Sequence, residues 1–469
     1  VLTIIKKELA RLFGDRRMLL GTVLLPGLMI YIVYTLMGTF LADRFTAQTD
    51  ADMRIYVQHM PASLADAFAE QPATLIDADG NEKASAIADL RPIISAKLPV
   101  EDPVLWNGRK NPYLYTVRCE IFDSTTQEVT DNIDIRTGLR EYHIDSHKGF
   151  FLNGEHIKLQ GVSRHQDREN MGNAITEKQH AEDVKIILDV GANSVRLAHY
   201  QQNSYFYDLC DESGLLVWAE VPVISRFSPK RNENAEQQLV ELIKQNYNHP
   251  SIFCWGIENE ITIAGSASKK LITFLKHMHK VARHLDPTRY TTCAQLTMCP
   301  VNSPLNHITD IIGYNHYYGW YMGSCDEINN WLDEWHRENP EGKLCLSEYG
   351  AEGITKYHSD SPVQGDYSED YQAIYHEHYI KSINERDWLW GSYVWNMFDF
   401  GSASRNEGGV RGRNNKGLVT FDRKTKKDAF WLYKAYWSDK KFVHITGERY
   451  VNRPAGKSTI KVYSNCPEV

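Results

Sequence analysis

The chain has 469 residues, 42% of them hydrophobic and 24% charged, so it is ordinary for a globular protein and long enough for more than one domain. A formal net charge of −8 with both signs interspersed argues against a nucleic-acid partner. Eight cysteines, at positions 119, 210, 254, 293, 299, 325, 345 and 466, contain no Cys-x-x-Cys pair and read as free thiols rather than a disulfide framework or a zinc site.

Residues 18–41 carry no charge, a stretch long enough to span a bilayer and longer than the core of a signal peptide. Before it, Lys6, Lys7, Arg11, Arg16 and Arg17 outnumber Glu8 and Asp15, so the positive-inside rule predicts a cytoplasmic N-terminus with the remainder outside. A buried soluble helix is the plainer reading of the same stretch. Lys6-Lys7-Glu8-Leu9 through Asp15-Arg16-Arg17 to Leu25-Pro26-Gly27, followed by Arg54-Ile55-Tyr56-Val57 and Met60-Pro61-Ala62-Ser63-Leu64, resembles the start of an ABC-type export permease. That resemblance implies a permease-like segment over 1–71 with one transmembrane helix at 18–41, anchoring an extracytoplasmic catalytic part in the membrane. Without the helix the expectation is a cytoplasmic protein. A single span is too few for a transport bundle.

From about residue 72 the patterning shifts to period two. Thr74-Leu75-Ile76 runs into an Asp79-Gly80 turn, and residues 114–121 alternate as a half-buried strand does. Residues 72–147 are therefore expected to form a β-sandwich, truncated relative to the roughly 100 residues of an immunoglobulin-like one. Beyond residue 148 short apolar strands, at 157–162, 194–197, 215–218, 252–256, 311–314, 344–347 and 392–394, alternate with helical spacing at 176–188, 236–246, 269–285 and 371–384. The alternation predicts an α/β fold, a (β/α)8 TIM barrel over 148–440. Residues 441–469 read as the start of a C-terminal β-sandwich cut short.

Two of the strands end on carboxylates. Ser251-Ile252-Phe253-Cys254-Trp255-Gly256-Ile257 stops on Glu258-Asn259-Glu260, and Leu344-Cys345-Leu346-Ser347 stops on Glu348. Carboxylates at the end of an apolar strand are costly to desolvate unless paired or used, and a barrel keeps its chemistry at the C-terminal strand ends. One strand-end Glu is as readily a salt-bridge partner as a catalyst. Two converging on one mouth are what glycosidic cleavage requires, one protonated for the leaving oxygen and one ionised for the anomeric carbon.

The run His249-Pro250-Ser251 to Glu260, the run Ser347-Glu348-Tyr349-Gly350-Ala351-Glu352, and Tyr393-Val394-Trp395-Asn396-Met397-Phe398-Asp399-Phe400 resemble glycoside hydrolase family two, the β-galactosidases and β-glucuronidases. The resemblance implies Glu260 as general acid/base and Glu348 as nucleophile of a retaining double displacement. It also implies a sugar pocket lined by His165, His199 and Trp395, with Arg196 and Tyr317 supporting the nucleophile and Asn259 holding the 2-hydroxyl. Glu220, Glu258 and Glu352 are expected as ion-pair or supporting residues. Ile224-Ser225-Arg226 stands where magnesium-dependent members carry a Glu-x-His ligand pair, so no metal and no other cofactor is expected.

Terminal β-galactosides are the first expectation for substrate. Asn414-Asn415-Lys416 matches the Asn-x-Lys pattern with which β-glucuronidases grip the sugar carboxylate, so glucuronides are the alternative; the plain reading of Lys416 is a surface residue in a basic stretch with Arg411 and Arg413. From another class, a membrane-anchored fusion impaired by truncation, or a carbohydrate-binding remnant, would keep the pocket without turnover. The oligomeric state stays open.

Overall fold

The computed structural model describes residues 70–76, 82–89, 98–123, 125–457 and 459–468. The expected transmembrane helix and most of the permease-like segment lie outside the described residues. Among the described residues no helix is long and apolar enough to cross a membrane. The chain divides into two compact units, one of Val1–Gln71, Ile87–Lys97 and Phe122–Val129, the other of Pro72–Ala86, Leu98–Ile121 and Thr130–Val469. In the first, Asp123 closes a turn by accepting from the backbone N–H groups of Thr125 and Thr126.

In the second unit eight parallel strands close into a barrel: β1 (Leu159–Arg164), β2 (Ser194–Leu197), β3 (Leu216–Glu220), β4 (Ile252–Asn259), β5 (Tyr290–Leu296), β6 (Ile311–Asn315), β7 (Leu344–Tyr349) and β8 (Gly391–Val394). Closure comes from β8 pairing with β1, Val394 opposite Val162. The connecting helices are α1 (Glu177–Val190), α2 (Ser204–Ser213), α3 (Asn232–Asn246), α4 (Lys269–Leu285), α5 (Glu327–Glu338), α6 (Glu369–Asn384) and α7 (Asp428–Trp437). Between β5 and β6 the crossover contains only the short 3-10 turn Pro304–His307. The sequence pattern did not yield β5, whose Thr291, Thr292 and Gln295 break its apolar character although every one of them is buried.

Alternation along the strands sorts side chains into two layers. Leu216 and Trp218 fill the barrel interior with Cys254, Ala294 and Cys345, while Val217 and Ala219 face the helices together with Val195, Leu197, Trp255 and Ile257. The helices meet them with buried stripes at helical spacing, Leu239, Leu242 and Ile243 on α3 and Leu271, Phe274, Leu275 and Met278 on α4. Each such side chain contributes about 1.5–3 kcal/mol by leaving water. Helix ends are set by local chemistry: the Asn203, Ser268 and Ser368 side chains cap α2, α4 and α6, and α1 and α2 stop at Gly191 and Gly214 in left-handed conformation.

Ahead of the barrel, a four-stranded sheet runs in the order Glu82–Asp89, Glu70–Ile76, Tyr115–Phe122, Val129–Thr137. Trp106, from the connection inside this sheet, and Ile144, Phe150 and Leu152, from the segment after it, close the N-terminal mouth of the barrel by packing against Leu159, Leu216, Trp218 and Phe253. Thr137 Oγ1 donates to Asn248 O at 3.0 Å and Tyr142 OH to Phe253 O at 2.8 Å. With one end sealed, the C-terminal mouth is left for the site. Beyond α7, Val443–Ile445 and Val462–Ser464 pair as an antiparallel ribbon.

Candidate active site

The pocket is built on Arg196. Strand alternation points it into the barrel from β2, and it is fully buried. Its Nε and Nη2 donate to the two oxygens of Glu220 at 3.0 and 3.1 Å, Nη1 to Glu348 Oε1 at 2.8 Å, and Nη2 to Asn259 Oδ1 at 2.8 Å. One guanidinium therefore fixes residues from the ends of three further strands, a task suited to its planar fork of donors. Burial works to raise the Glu220 carboxyl, but the charge of Arg196 outweighs it and the net shift is downward.

Glu348, at the end of β7, also accepts from Tyr317 OH at 2.7 Å. Burial, and then the charge of Glu348, hold the Tyr317 phenol well above its ordinary range, so it stays a donor. His199 Nδ1 lies 2.6 Å from Glu220 Oε1, leaving its Nε2 3.7 Å from Glu348 Oε1. Trp395 stacks on His199 with ring centroids 5.1 Å apart and meets His165 edge-on at 5.4 Å. Burial, then the charges of His199 and Arg196, keep His165 well below the usual imidazole range, and therefore neutral at physiological pH.

Glu260 sits one residue past β4. A register shift between Gly256 and Asn259 breaks the strand's alternation, so Asn259 turns to Arg196 and Glu258, which alternation would point inward, is sent to the helix side with Gln295. Glu260 takes φ +48°, the left-handed region, which costs on the order of 1–3 kcal/mol for a residue other than glycine. Its N–H donates to Ala294 O at 2.8 Å and its carbonyl accepts from Ile263 at 2.9 Å. Burial, and then the charge of Glu348, push its carboxyl up to about 7. Two carboxyl groups in one pocket thus face opposite environments, one holding a proton near neutrality and the other gripped by an Arg and a Tyr.

The third part is the loop after β8. Lys416 is buried, not a surface residue of a basic stretch: Nζ donates to Tyr321 OH at 2.7 Å and to Glu352 Oε1 at 3.1 Å, and lies 5.9 Å from the centre of the Tyr317 ring. Arg405, from the hairpin Phe400–Glu407 and Val410–Asn414, reaches Glu352 Oε1 at 3.0 Å and Tyr321 OH at 2.9 Å. Burial works to raise Glu352, but Lys416 outweighs it and holds the carboxylate low. Asn414 turns its side chain inward to accept from Lys416 N–H at 3.1 Å, shaping the turn.

The structure brings together Glu260, Glu348, His165, Arg196, His199, Asn259, Tyr317 and Trp395, with Lys416 one aromatic ring away and Asn414 behind it. Glu220 and Glu352 are ion-paired as expected; Glu258 has no cation. Missed from the sequence were Tyr321 and Arg405, and also Asn315, whose Nδ2 donates to Asn259 Oδ1 at 3.1 Å and whose Oδ1 accepts from Ser347 Oγ at 2.7 Å. Ile224-Ser225-Arg226 lies beside the acid-bearing loop, Ile224 bridging to Asn259, and carries an Ile and an Arg, which cannot ligate a hard cation, where the Glu and His of the magnesium ligand pair would stand. Among the described residues the one group of metal-type side chains in mutual reach is Asp208, Asp211 and His249. Their groups already have partners: His249 and Asp211 bond each other, Asp211 also accepts from Ser251 N–H, and Asp208 pairs with Arg136.

A carboxyl pair at the C-terminal mouth of such a barrel is the arrangement glycoside hydrolases use. The chain belongs to glycoside hydrolase family 2: the family's TIM barrel domain matches residues 144–442, and a second family 2 domain matches residues 44–140. The latter takes in residues 44–71, which the sequence reading had placed in the permease-like segment. The chain is 42% identical over 387 residues to a beta-glucuronidase of Bacteroides fragilis, covering 79% of this chain and 54% of that protein. The crystal structure of FMN-binding beta-glucuronidase from Facaelibacterium prausnitzii L2-6 superposes with a TM-score of 0.82 at 47% identity, over 84% of this chain and 61% of that one. A putative beta-galactosidase from Bacteroides fragilis superposes with 0.80 at 38% identity, over 84% of this chain and 60% of that one. The chain therefore spans between half and two thirds of the length of these relatives.

Proposed function

We propose that this chain is the catalytic part of a retaining exo-glycosidase that removes terminal β-D-glucuronosyl residues. The reading reverses the order of substrates drawn from the sequence, which put β-galactosides first. The carrying observation is Lys416: a buried ammonium beside the Tyr317 ring, where a uronate carboxylate entering the pocket would meet a charge-assisted donor. The relatives named beta-glucuronidase support it. The relative described as a putative beta-galactosidase keeps galactosides as the second reading, under which Lys416 serves only to neutralise Glu352.

In the proposed mechanism, Glu260 donates its proton to the glycosidic oxygen as Glu348 attacks the anomeric carbon, giving a glycosyl-enzyme that water opens with Glu260 now acting as base. Asn259 has its oxygen occupied twice, which leaves its Nδ2 as the donor for the sugar 2-hydroxyl. Trp395 and the neutral His165 form an apolar wall for the sugar face. A binding remnant without turnover would have no need of a buried carboxyl raised by its surroundings opposite a Glu348 gripped by Arg196 and Tyr317. Parallel assays of the purified protein on 4-nitrophenyl β-D-glucuronide and β-D-galactoside test the reading: glucuronide turnover at least tenfold faster is expected, and the reverse order would install the galactoside reading.

A further inference from the structure

Glu258 stands out among the acids of the pocket region. It is fully buried, and the strand irregularity above Gly256 leaves it on the helix side of β4, an apolar layer that contains Cys293, Cys299 and Tyr314. Its Oε2 accepts from the backbone N–H of Ile261 at 3.1 Å, and its Oε1 from Gln295 Nε2 at 3.2 Å. These contacts straddle Glu260: the carboxyl from two residues before it clasps the first N–H of the turn that follows it. Glu260 itself is held left-handed, a conformation that needs its flanks fixed to persist.

We propose that Glu258 is a positioning residue for the acid/base Glu260, its carboxyl fixing the Ile261 N–H and so the direction from which Glu260 meets the glycosidic oxygen. The inference rests on the role given to Glu260 above. Two further observations fit it. The groups facing Glu258 are the acids Glu220 and Glu260, the thiols of Cys293 and Cys299 and the phenol of Tyr314, with no cation among them; burial first, and the neighbouring acids after it, push its carboxyl up to about 8. A neutral carboxyl accepts from Ile261 without bringing a third negative charge to a pocket whose Arg196 already serves Glu220 and Glu348. Gln295 Oε1 is buried without a partner, and exchanging the two ends of that amide would let it accept the Glu258 proton.

Three substitutions separate positioning from support of the fold. Glu258→Gln keeps an acceptor for Ile261 N–H, Glu258→Met keeps the length without the acceptor, and Glu258→Asp falls one methylene short. We expect E258M and E258D to lose about 10- to 100-fold in kcat/KM on phenyl β-D-glucuronide, whose leaving group needs a proton, and less than about threefold on the 2,4-dinitrophenyl glycoside, which needs none, with E258Q close to wild type on both. Equal loss on the two substrates, no loss on either, or an E258Q as impaired as E258M would overturn the proposal. Glu260→Ala is the control: if it lacks the same leaving-group dependence, the acid/base reading of Glu260 is what fails.

Discussion

Arg196 is the hub of the pocket, because Glu220, Glu348 and Asn259 all orient on it. Replacing it with Met leaves two buried carboxylates without their cation, and breaking such a buried arrangement costs about 3–5 kcal/mol. Arg196→Met is therefore expected both to lower the melting temperature and to abolish turnover, whereas Glu348→Ala abolishes turnover alone. For Glu260 the elevated carboxyl sets a pH dependence. It must be protonated to act as acid, so kcat/KM on a substrate with a poor leaving group should fall as pH rises through about 7, and the limb should vanish in Glu260→Gln. Glu258 bears on stability through the same sign. A carboxyl whose folded value is raised above the unfolded one binds its proton more tightly in the folded chain, so stability falls as pH rises from the unfolded carboxyl range toward about 8. Thermal melts of Glu258→Gln should accordingly show a flatter decline between pH 5 and 8 than wild type. That Glu260 and Glu348 stand at strand ends was legible in the sequence because apolar runs end abruptly on them, while the roles proposed for them come from the family resemblance. The fate of Glu258 was not, since simple alternation gives no sign of the irregularity that sends Asn259 inward and leaves Glu258 in an apolar layer.

Among the elements, β4 and the loop after β8 do the most to shape the pocket. Gly256 is required where β4 passes β3: a Cβ there would lie 2.5 Å from both Glu220 Cβ and Trp218 Nε1. Gly256→Ala should cost about 1–3 kcal/mol by overpacking and push Glu220 off Arg196, read as a lower melting temperature with a lower kcat. The turn carrying Lys416 is pinned from beneath, with Lys427 Nζ donating to Asp399 Oδ1 at 2.7 Å and to Asn415 O at 3.0 Å, and Asp399 Oδ1 also accepting from Gly417 N–H at 2.9 Å. Releasing that pin in Lys427→Met should raise KM for the glucuronide. Strands and helices with clean periodicity, such as β7 and α4, were placed by the sequence to within a residue or two. The polar β5 escaped it, as did the contributions of Tyr321 and Arg405, because nothing in a hairpin's sequence fixes which residue of another loop it will face.

For the whole molecule, closure of the N-terminal mouth by Trp106, Phe150 and Leu152 leaves one face of the barrel for chemistry, and the residues singled out in the sequence meet there because barrel strands all end on that face. Family and barrel were legible from motifs spread over three strand ends. The burial of Lys416 beside Tyr317, on which the proposed glucuronide reading rests, was not, since nothing in Asn414-Asn415-Lys416 fixes what that turn packs against. If Lys416 grips a uronate, Lys416→Met should lower kcat/KM on the glucuronide by about 100-fold, in keeping with loss of a charge-assisted bond worth 1.5–3 kcal/mol, and leave any galactoside turnover within a few fold. The most direct test of the account is to incubate the protein with 2-deoxy-2-fluoro-β-D-glucuronosyl fluoride and, separately, with its galactosyl counterpart, and to map any adduct by peptide mass spectrometry. A single glucuronosyl group on Glu348, with no galactosyl adduct, is the predicted result. A galactosyl adduct in its place, or a label on any residue other than Glu348, would contradict it.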